Sequence, residues 1–218
     1  MKPLPIAALL AAALLAGCAT PQTPTTTYNV STSFASGASA CAGQARSLYP
    51  AVPASHTLVA LTTDKGCLVA ELYDDKAPAT VANFKTYVTE GFYTDLQFHR
   101  ILTGFVSQTG GITGSGNPKT PTHPPIKDEA KSSGLHNYQY TLAMARTSEA
   151  DSATTQFYVN AANNTAGHSN NLDPGGVSPD GYAVFGILVG GRGVADHINS
   201  FATGRSQIPI LQSVAVLA

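Results

Sequence analysis

Two short stretches of this chain hold side chains that can stabilise charge on a bound molecule without forming a covalent bond. The first is Phe98-His99-Arg100-Ile101-Leu102-Thr103-Gly104-Phe105-Val106-Ser107-Gln108. Arg100 offers five N–H donors in a rigid plane and stays protonated, and the Gln108 carboxamide both donates and accepts. The second is Asp151-Ser152-Ala153-Thr154-Thr155-Gln156-Phe157-Tyr158, which adds another carboxamide beside two rings. Read singly, each residue has a plainer role. An arginine between apolar neighbours usually forms an ion pair or lies at the surface. Phe105 and Tyr158 would be core, and Gln108 and Gln156 would satisfy backbone groups.

Other chemistries lack their patterns. Gly110-Gly111-Ile112-Thr113-Gly114-Ser115-Gly116 is glycine-rich but has no Gly-Lys-Ser/Thr to cradle a phosphate, so it reads as a mobile surface loop. His56, His123, His136, His168 and His197 show no metal-ligand spacing and read as solvated or capping residues. No Gly-x-Ser-x-Gly elbow is present. Three cysteines are too few for a Cys₄ zinc site. Neither a metal nor a cofactor is expected. Lys and Arg number 12 against 13 Asp and Glu, so no bulk attraction to nucleic acid is expected either.

The elements that must position these residues begin near position 57. A chain of 218 residues, 43% hydrophobic, can bury a substantial core. Its 20 glycines and 14 prolines point to many turns and a β-rich fold. Residues 57–63 and 67–73 alternate about Asp64-Lys65-Gly66 and read as a hairpin. Pro78 opens a helix with Val81, Phe84, Tyr87 and Val88 on one face and Gly91 at its stop. Residues 97–101, 104–108, 140–145, 157–160 and 183–189 read as strands. Residues 194–201 read as a second helix and 210–217 as a closing strand. This suggests an antiparallel barrel with helices capping its open ends, although a lipocalin-like barrel or a sandwich fits the same periodicity.

Leu142-Ala143-Met144-Ala145-Arg146, the Asp151 block and Gly181-Tyr182-Ala183-Val184-Phe185-Gly186 follow the Arg100 block in order. Together they closely resemble the cyclophilin family of peptidyl-prolyl isomerases, the bacterial periplasmic type in particular. The resemblance runs from about residue 57 to the C-terminus. It implies a mainly β fold, an eight-stranded antiparallel closed β-barrel capped by two α-helices. It also implies cis–trans isomerisation of X–Pro bonds, with Pro-containing polypeptides as clients. Amide resonance sets a barrier of about 18–20 kcal/mol for that rotation. At its top the C–N bond is twisted and the nitrogen lone pair is localised. A donor aimed at that nitrogen binds the twisted state better than either planar one, which is what catalysis requires.

By the resemblance Arg100 is that donor, in a catalytic set with Gln108 and His99, the histidine supporting the arginine rather than acting as a base. Gln108 and Gln156 match the glutamines that hold Arg100 and the substrate backbone. Phe105, Val106, Tyr158 and Leu172 align with the pocket for the proline ring. Ala145 and Arg146 align with the strand that pairs with the substrate. Three departures stand out. Val106 replaces the commoner Met and makes a shallower wall. Tyr158 replaces Phe and brings a hydroxyl that wants a partner. Asn171 stands where relatives carry Trp or Phe, which implies weak cyclosporin binding. Residues 163–180 are also longer and richer in Asn and Gly than the family pattern. Two rivals compete with the enzyme: a module or chaperone that holds Pro-containing segments with little turnover, and a carrier of an apolar ligand. Arg100 with both glutamines favours the enzyme over either.

The N-terminus reads as an address. Lys2 precedes an apolar run too short for a membrane span, as in a signal peptide. Leu15-Ala16-Gly17-Cys18 resembles the lipobox of bacterial lipoproteins. That resemblance implies removal of residues 1–17, lipid on Cys18 and membrane attachment through it. Ala19 is not the Asp of inner-membrane retention, so an outer-membrane anchor facing the periplasm is expected. Residues 18–55 read as a flexible Thr/Pro/Ser/Ala linker, reaching roughly 30–35 Å as a coil, before a domain at 56–218. Cys41 and Cys67 remain after lipidation. In an oxidising compartment they either pair, pinning the linker to an early strand, or stay as two thiols. A monomer is expected.

Overall fold

A computed structural model describes residues 41, 43–203 and 207–217. Cys18, the expected signal segment and most of the expected linker lie outside the described residues.

Strands β1 (Thr57–Thr63) and β2 (Gly66–Leu72) form the expected hairpin, Thr63 opposite Gly66. Helix α1 (Pro78–Thr89) carries proline in its first turn. Its free N-terminal donors are met by a distant carboxylate: Ala79 N and Thr80 N donate to Glu129 at 3.1 and 2.8 Å. Then come β3 (Leu96–Gln97), β4 (Arg100–Leu102), β5 (Val106–Thr109), a one-turn α2 (Ala130–Ser133) and β6 (Thr141–Met144). Strand β7 (Phe157–Asn160), β8 (Val184–Gly190), α3 (Arg192–Asn199) and β9 (Ile210–Val216) complete the order. The sheet has nine strands in the order β3-β9-β1-β2-β8-β6-β7-β5-β4, and every pairing is antiparallel.

The fold is mainly β, but it is not a closed eight-stranded barrel. The sheet is an open, curled half-barrel whose edges are β3 and β4. The single strand expected at 97–101 is two strands, because the burial alternation breaks. Leu96, Phe98 and Ile101 all point into the main core, a spacing of two and then three. One pleated strand cannot satisfy that spacing. The chain bends at His99, and the two pieces take different partners, β9 for β3 and β5 for β4.

Alternation along the strands sorts the apolar residues into an inside and two outside clusters. Leu142, Met144, Phe157 and Val159 face the concave core, which α1 covers with Val81, Phe84 and Tyr87 and α3 with Val194 and Ile198. On one outer face Tyr49 and Val52 pack on Leu58, Val69 and Val189. Those two residues belong to the stretch expected to be linker. A disulfide between Cys41 and Cys67 ties this strap to β2, and Arg46 holds it by donating to His56 O at 2.9 Å. The cross-link closes a loop of sequence separation 26, worth about 2–4 kcal/mol by chain entropy. Urea unfolding of the Cys67→Ser variant should show a loss of that size. An unchanged midpoint would show that the strap holds without the bond.

Candidate functional site

Ladder register brings the residues of the first two motifs together. Arg100 lies opposite Gln108, Gln108 opposite Tyr158, and Tyr158 opposite Ala143. Residues directly opposite in a sheet share a face. These four therefore form one row across β4, β5, β7 and β6, on the side of the sheet away from the core.

At one end of the row is a polar relay. Arg100 Nη1 donates to Gln108 Oε1 at 3.5 Å, and Gln108 Nε2 donates to Gln156 Oε1 at 2.9 Å. Arg100 is exposed, and its guanidinium makes no other hydrogen bond or ion pair among the described residues. Most of its donors thus face outward, while the first glutamine steadies its orientation. His99 sits behind the relay, half-buried. Burial lowers its pKa from the ordinary value of 6.5, as does the Arg100 charge, against the opposing effect of hydrogen bonding to Gln97 and Gln156. It is a neutral support at physiological pH. Its linkage follows: the contribution to stability is full above about 6.5 and is lost as pH falls from the unfolded value toward the lower folded one. An NMR titration of the His99 ring should give a midpoint below 6.5; one at or above that value would contradict the burial.

At the other end of the row is a small apolar cluster, called the hollow below for the role proposed for it. Val106, Ala143, Tyr158, Leu172 and Val184 are its buried floor. Phe105, Leu135, Ala145 and Tyr182 are half-buried at its edge. Phe105 is held through its backbone. Its carbonyl accepts from Ala161 N at 2.8 Å and Asn164 Nδ2 at 3.0 Å. The preceding turn is fixed from α3: Gly104 N, at φ +73°, donates to Asn199 Oδ1 at 2.8 Å. Asn199 Nδ2 also reaches Ser107 Oγ at 2.9 Å.

The Tyr158 hydroxyl finds its partner below the floor. It donates to Asn137 Oδ1 at 3.0 Å, and burial pushes the phenol pKa well up, so it stays protonated. Asn137 is fully buried and joins three segments. Its Oδ1 also accepts from Asn160 Nδ2 at 3.1 Å, and its Nδ2 donates to Asp173 Oδ1 at 3.0 Å. Asp173 follows Leu172 directly. Burial alone would raise its carboxyl, but hydrogen bonds from Thr165, Asn137 and His136 together hold it below the usual range. The loop that supplies Leu172 is thereby tied to β7.

Two expected residues stand apart from the row. The Arg146 side chain, only 3% exposed, pairs with Asp128 at 3.1 Å. It donates to Gly181 O and Ser178 Oγ and lies over the Tyr182 ring at 4.6 Å. Its guanidinium braces the 178–182 loop from within. The Ala145 side chain joins the hollow, but its N–H is already given to Gln156 O at 2.9 Å. Asn171 contributes a turn: its Oδ1 accepts from Asp173 N at 3.0 Å. Sequence reasoning missed Ala143, Val184, Leu135 and Tyr182 as hollow residues, although Ala143, Tyr182 and Val184 lie in the motif blocks. It missed Asn137 and Asn199 because no local pattern marks them.

Comparison with known proteins agrees with this architecture. A family model described as "Cyclophilin type peptidyl-prolyl cis-trans isomerase/CLD" matches residues 58–217. The chain is 45% identical over 155 residues to the peptidyl-prolyl cis-trans isomerase A of Dickeya dadantii, covering 71% of this chain and 76% of the relative. It is 44% identical over 149 residues to the isomerase B of Escherichia coli, covering 68% of this chain and 88% of the relative. Among solved structures, a Cryptosporidium parvum cyclophilin-type isomerase, crystallised in the presence of the dipeptide Ala-Pro, superposes with a TM-score of 0.61 at 20% identity. That match covers 74% of this chain and 99% of the other.

Proposed function

Because this chain belongs to the cyclophilin family of peptidyl-prolyl cis-trans isomerases, we propose that its X–Pro isomerisation is carried by the Arg100 row. The apolar hollow seats the proline ring on Val106, Tyr158 and Leu172, with Phe105 at its edge. Arg100 then donates to the imide nitrogen as the bond twists. In either planar state that lone pair is delocalised and a poor acceptor. In the twisted state it is localised, so the hydrogen bond strengthens at the top of the barrier, where it lowers ΔG‡. Gln108 orients Arg100, Gln156 orients Gln108 and receives the substrate backbone, and His99 stays neutral so that it does not repel the arginine. Ala145 and Arg146 run beside the bound chain through their backbone, with the Ala145 N–H already given to Gln156 O. The observation that carries this reading is the relay from Arg100 through Gln108 to Gln156, beside a separate apolar cluster on the outer face.

For the setting, we read residues 1–17 as a lipoprotein signal cleaved before a lipidated Cys18, with the domain held at the bacterial envelope to act on exported proteins. The disulfide to Cys41 supports an oxidising compartment. Exchange spectroscopy on an Ala-Pro peptide tests the chemistry. Acceleration by the wild type that depends on Arg100 supports it, and peptide binding without acceleration supports a holding module instead. Mass analysis of the membrane-extracted protein tests the anchor: an unmodified Cys18 or an intact N-terminus would rule it out.

A further inference from the structure

We propose that Gly110 and Gly111 are positioning residues for the isomerisation. They form a shelf, open only to glycine, on which the Gln156 carboxamide is laid for Gln108. This rests on reading Gln108 and Gln156 as the support of Arg100.

The glycine-rich run reads as a mobile loop in the sequence, but its first two residues are buried. They leave β5 just after Thr109 and pass against residues 155 and 156. A Cβ on Gly111 would stand 2.6 Å from both Cδ and Nε2 of Gln156 and 2.8 Å from its Cγ. The carboxamide therefore lies against the Gly111 backbone. It cannot simply swing aside, because its Oε1 accepts from Gln108 Nε2 at 2.9 Å. Gly110 makes the matching approach to the main chain. With φ at +94°, its Cβ would stand 2.5 Å from Thr155 O and 2.9 Å from Gln156 Cα. The shelf is itself anchored: Gly111 O accepts from Lys119 N at 2.9 Å, and Ile112 O accepts from Gln97 N at 2.8 Å.

The two positions separate cleanly as tests. Gly110 has a left-handed backbone, so alanine there strains the chain as well as the contact. Gly111 does not, so Gly111→Ala adds a methyl with little backbone penalty whose nearest neighbours are Cδ, Nε2 and Cγ of Gln156. A misplacement of about 1 Å at a catalytic group can cost up to about a hundredfold in rate.

The experiment compares the full chain as wild type, Gly111→Ala, Gln156→Ala and the double variant. Exchange of an Ala-Pro peptide is read by NMR, with its Kd and the Tm of each protein. Gly111→Ala should lower the exchange rate about ten- to a hundredfold, more than it weakens Kd. In the Gln156→Ala background the same methyl should have no further effect, because the group it displaces is gone. Wild-type exchange in Gly111→Ala while Gln156→Ala is slow would overturn the proposal, as would two losses that multiply in full. Wild-type exchange in Gln156→Ala would instead overturn the underlying reading of the relay. A measurement on the wild type alone gives a second test, whatever the variants' stability. The Gln156 side-chain amide protons should show NOEs to the Gly111 α-protons, and their absence would refute the shelf.

Discussion

Replacing Arg100 by alanine should lower kcat/KM for an Ala-Pro substrate by about 10²–10³-fold, the usual effect of deleting one donor aimed at developing charge. Peptide affinity should change much less. The hollow that seats the ring is built from other residues, and in the planar ground state the imide nitrogen is a poor acceptor. The loss should therefore fall on the catalysed rotation, as an interaction made only in the transition state requires. Stability should hardly move, since Arg100 is exposed and tied by a single contact of 3.5 Å. Arg100→Lys should recover only part of the rate, because an ammonium lacks the planar fork that Gln108 orients. NMR exchange spectroscopy and isothermal binding on the same samples separate the two quantities. A variant that binds tenfold more weakly yet turns over normally when saturated would show that Arg100 serves binding alone.

The second large effect is expected away from the reacting bond. Asn137→Ala should destabilise the protein by about 3–4 kcal/mol, since several buried groups would lose a partner in one step. The Tyr158 hydroxyl loses its acceptor outright, while Asn160 Nδ2 keeps Thr141 Oγ1 at 2.9 Å and Asp173 Oδ1 keeps the backbone N–H of residue 137 at 2.8 Å but loses the side-chain donor. The carboxylate matters most, because a buried charge with fewer hydrogen bonds is costly. Tyr158→Phe removes a single donor from the same hub and should cost only about 1 kcal/mol. Urea unfolding of the two variants gives the comparison. The loop that Asp173 ties to β7 also carries Leu172, so Asn137→Ala should raise KM more than it lowers kcat. Equal stability losses in the two variants would show that Asn137 is not a hub.

Much of the local structure was legible because it depends on short-range order. The β1–β2 hairpin follows from alternation about Asp64-Lys65, and α1 from Pro78 and the spacing of Val81, Phe84 and Tyr87. The motif blocks were legible for the same reason, each being a contiguous string. Their roles were harder to read where neighbours in sequence point to opposite faces. Ala145 and Arg146 are adjacent in one block, yet one side chain lines the hollow and the other is buried against Asp128. The strand expected at 97–101 failed similarly, because a break in alternation at His99 reassigns the partners of everything after it.

By itself, the sequence determined the kind of chain this is: a β-rich domain with the ordered blocks of the cyclophilin family, and with them its reaction. Those features reside in residue types and near-neighbour spacing, which set backbone preference and the identity of each donor. Only the tertiary structure decided that the sheet stays an open curl, that the Tyr158 hydroxyl ends on Asn137, that Asn199 holds the turn before Phe105, and that two glycines lie under Gln156. Each of these is a meeting of segments far apart in the chain, as with Gly104 and Asn199, 95 residues apart. Such meetings depend on how far the sheet curls and on which register its strands adopt. No local pattern encodes either quantity, because both are settled by the packing of the whole core.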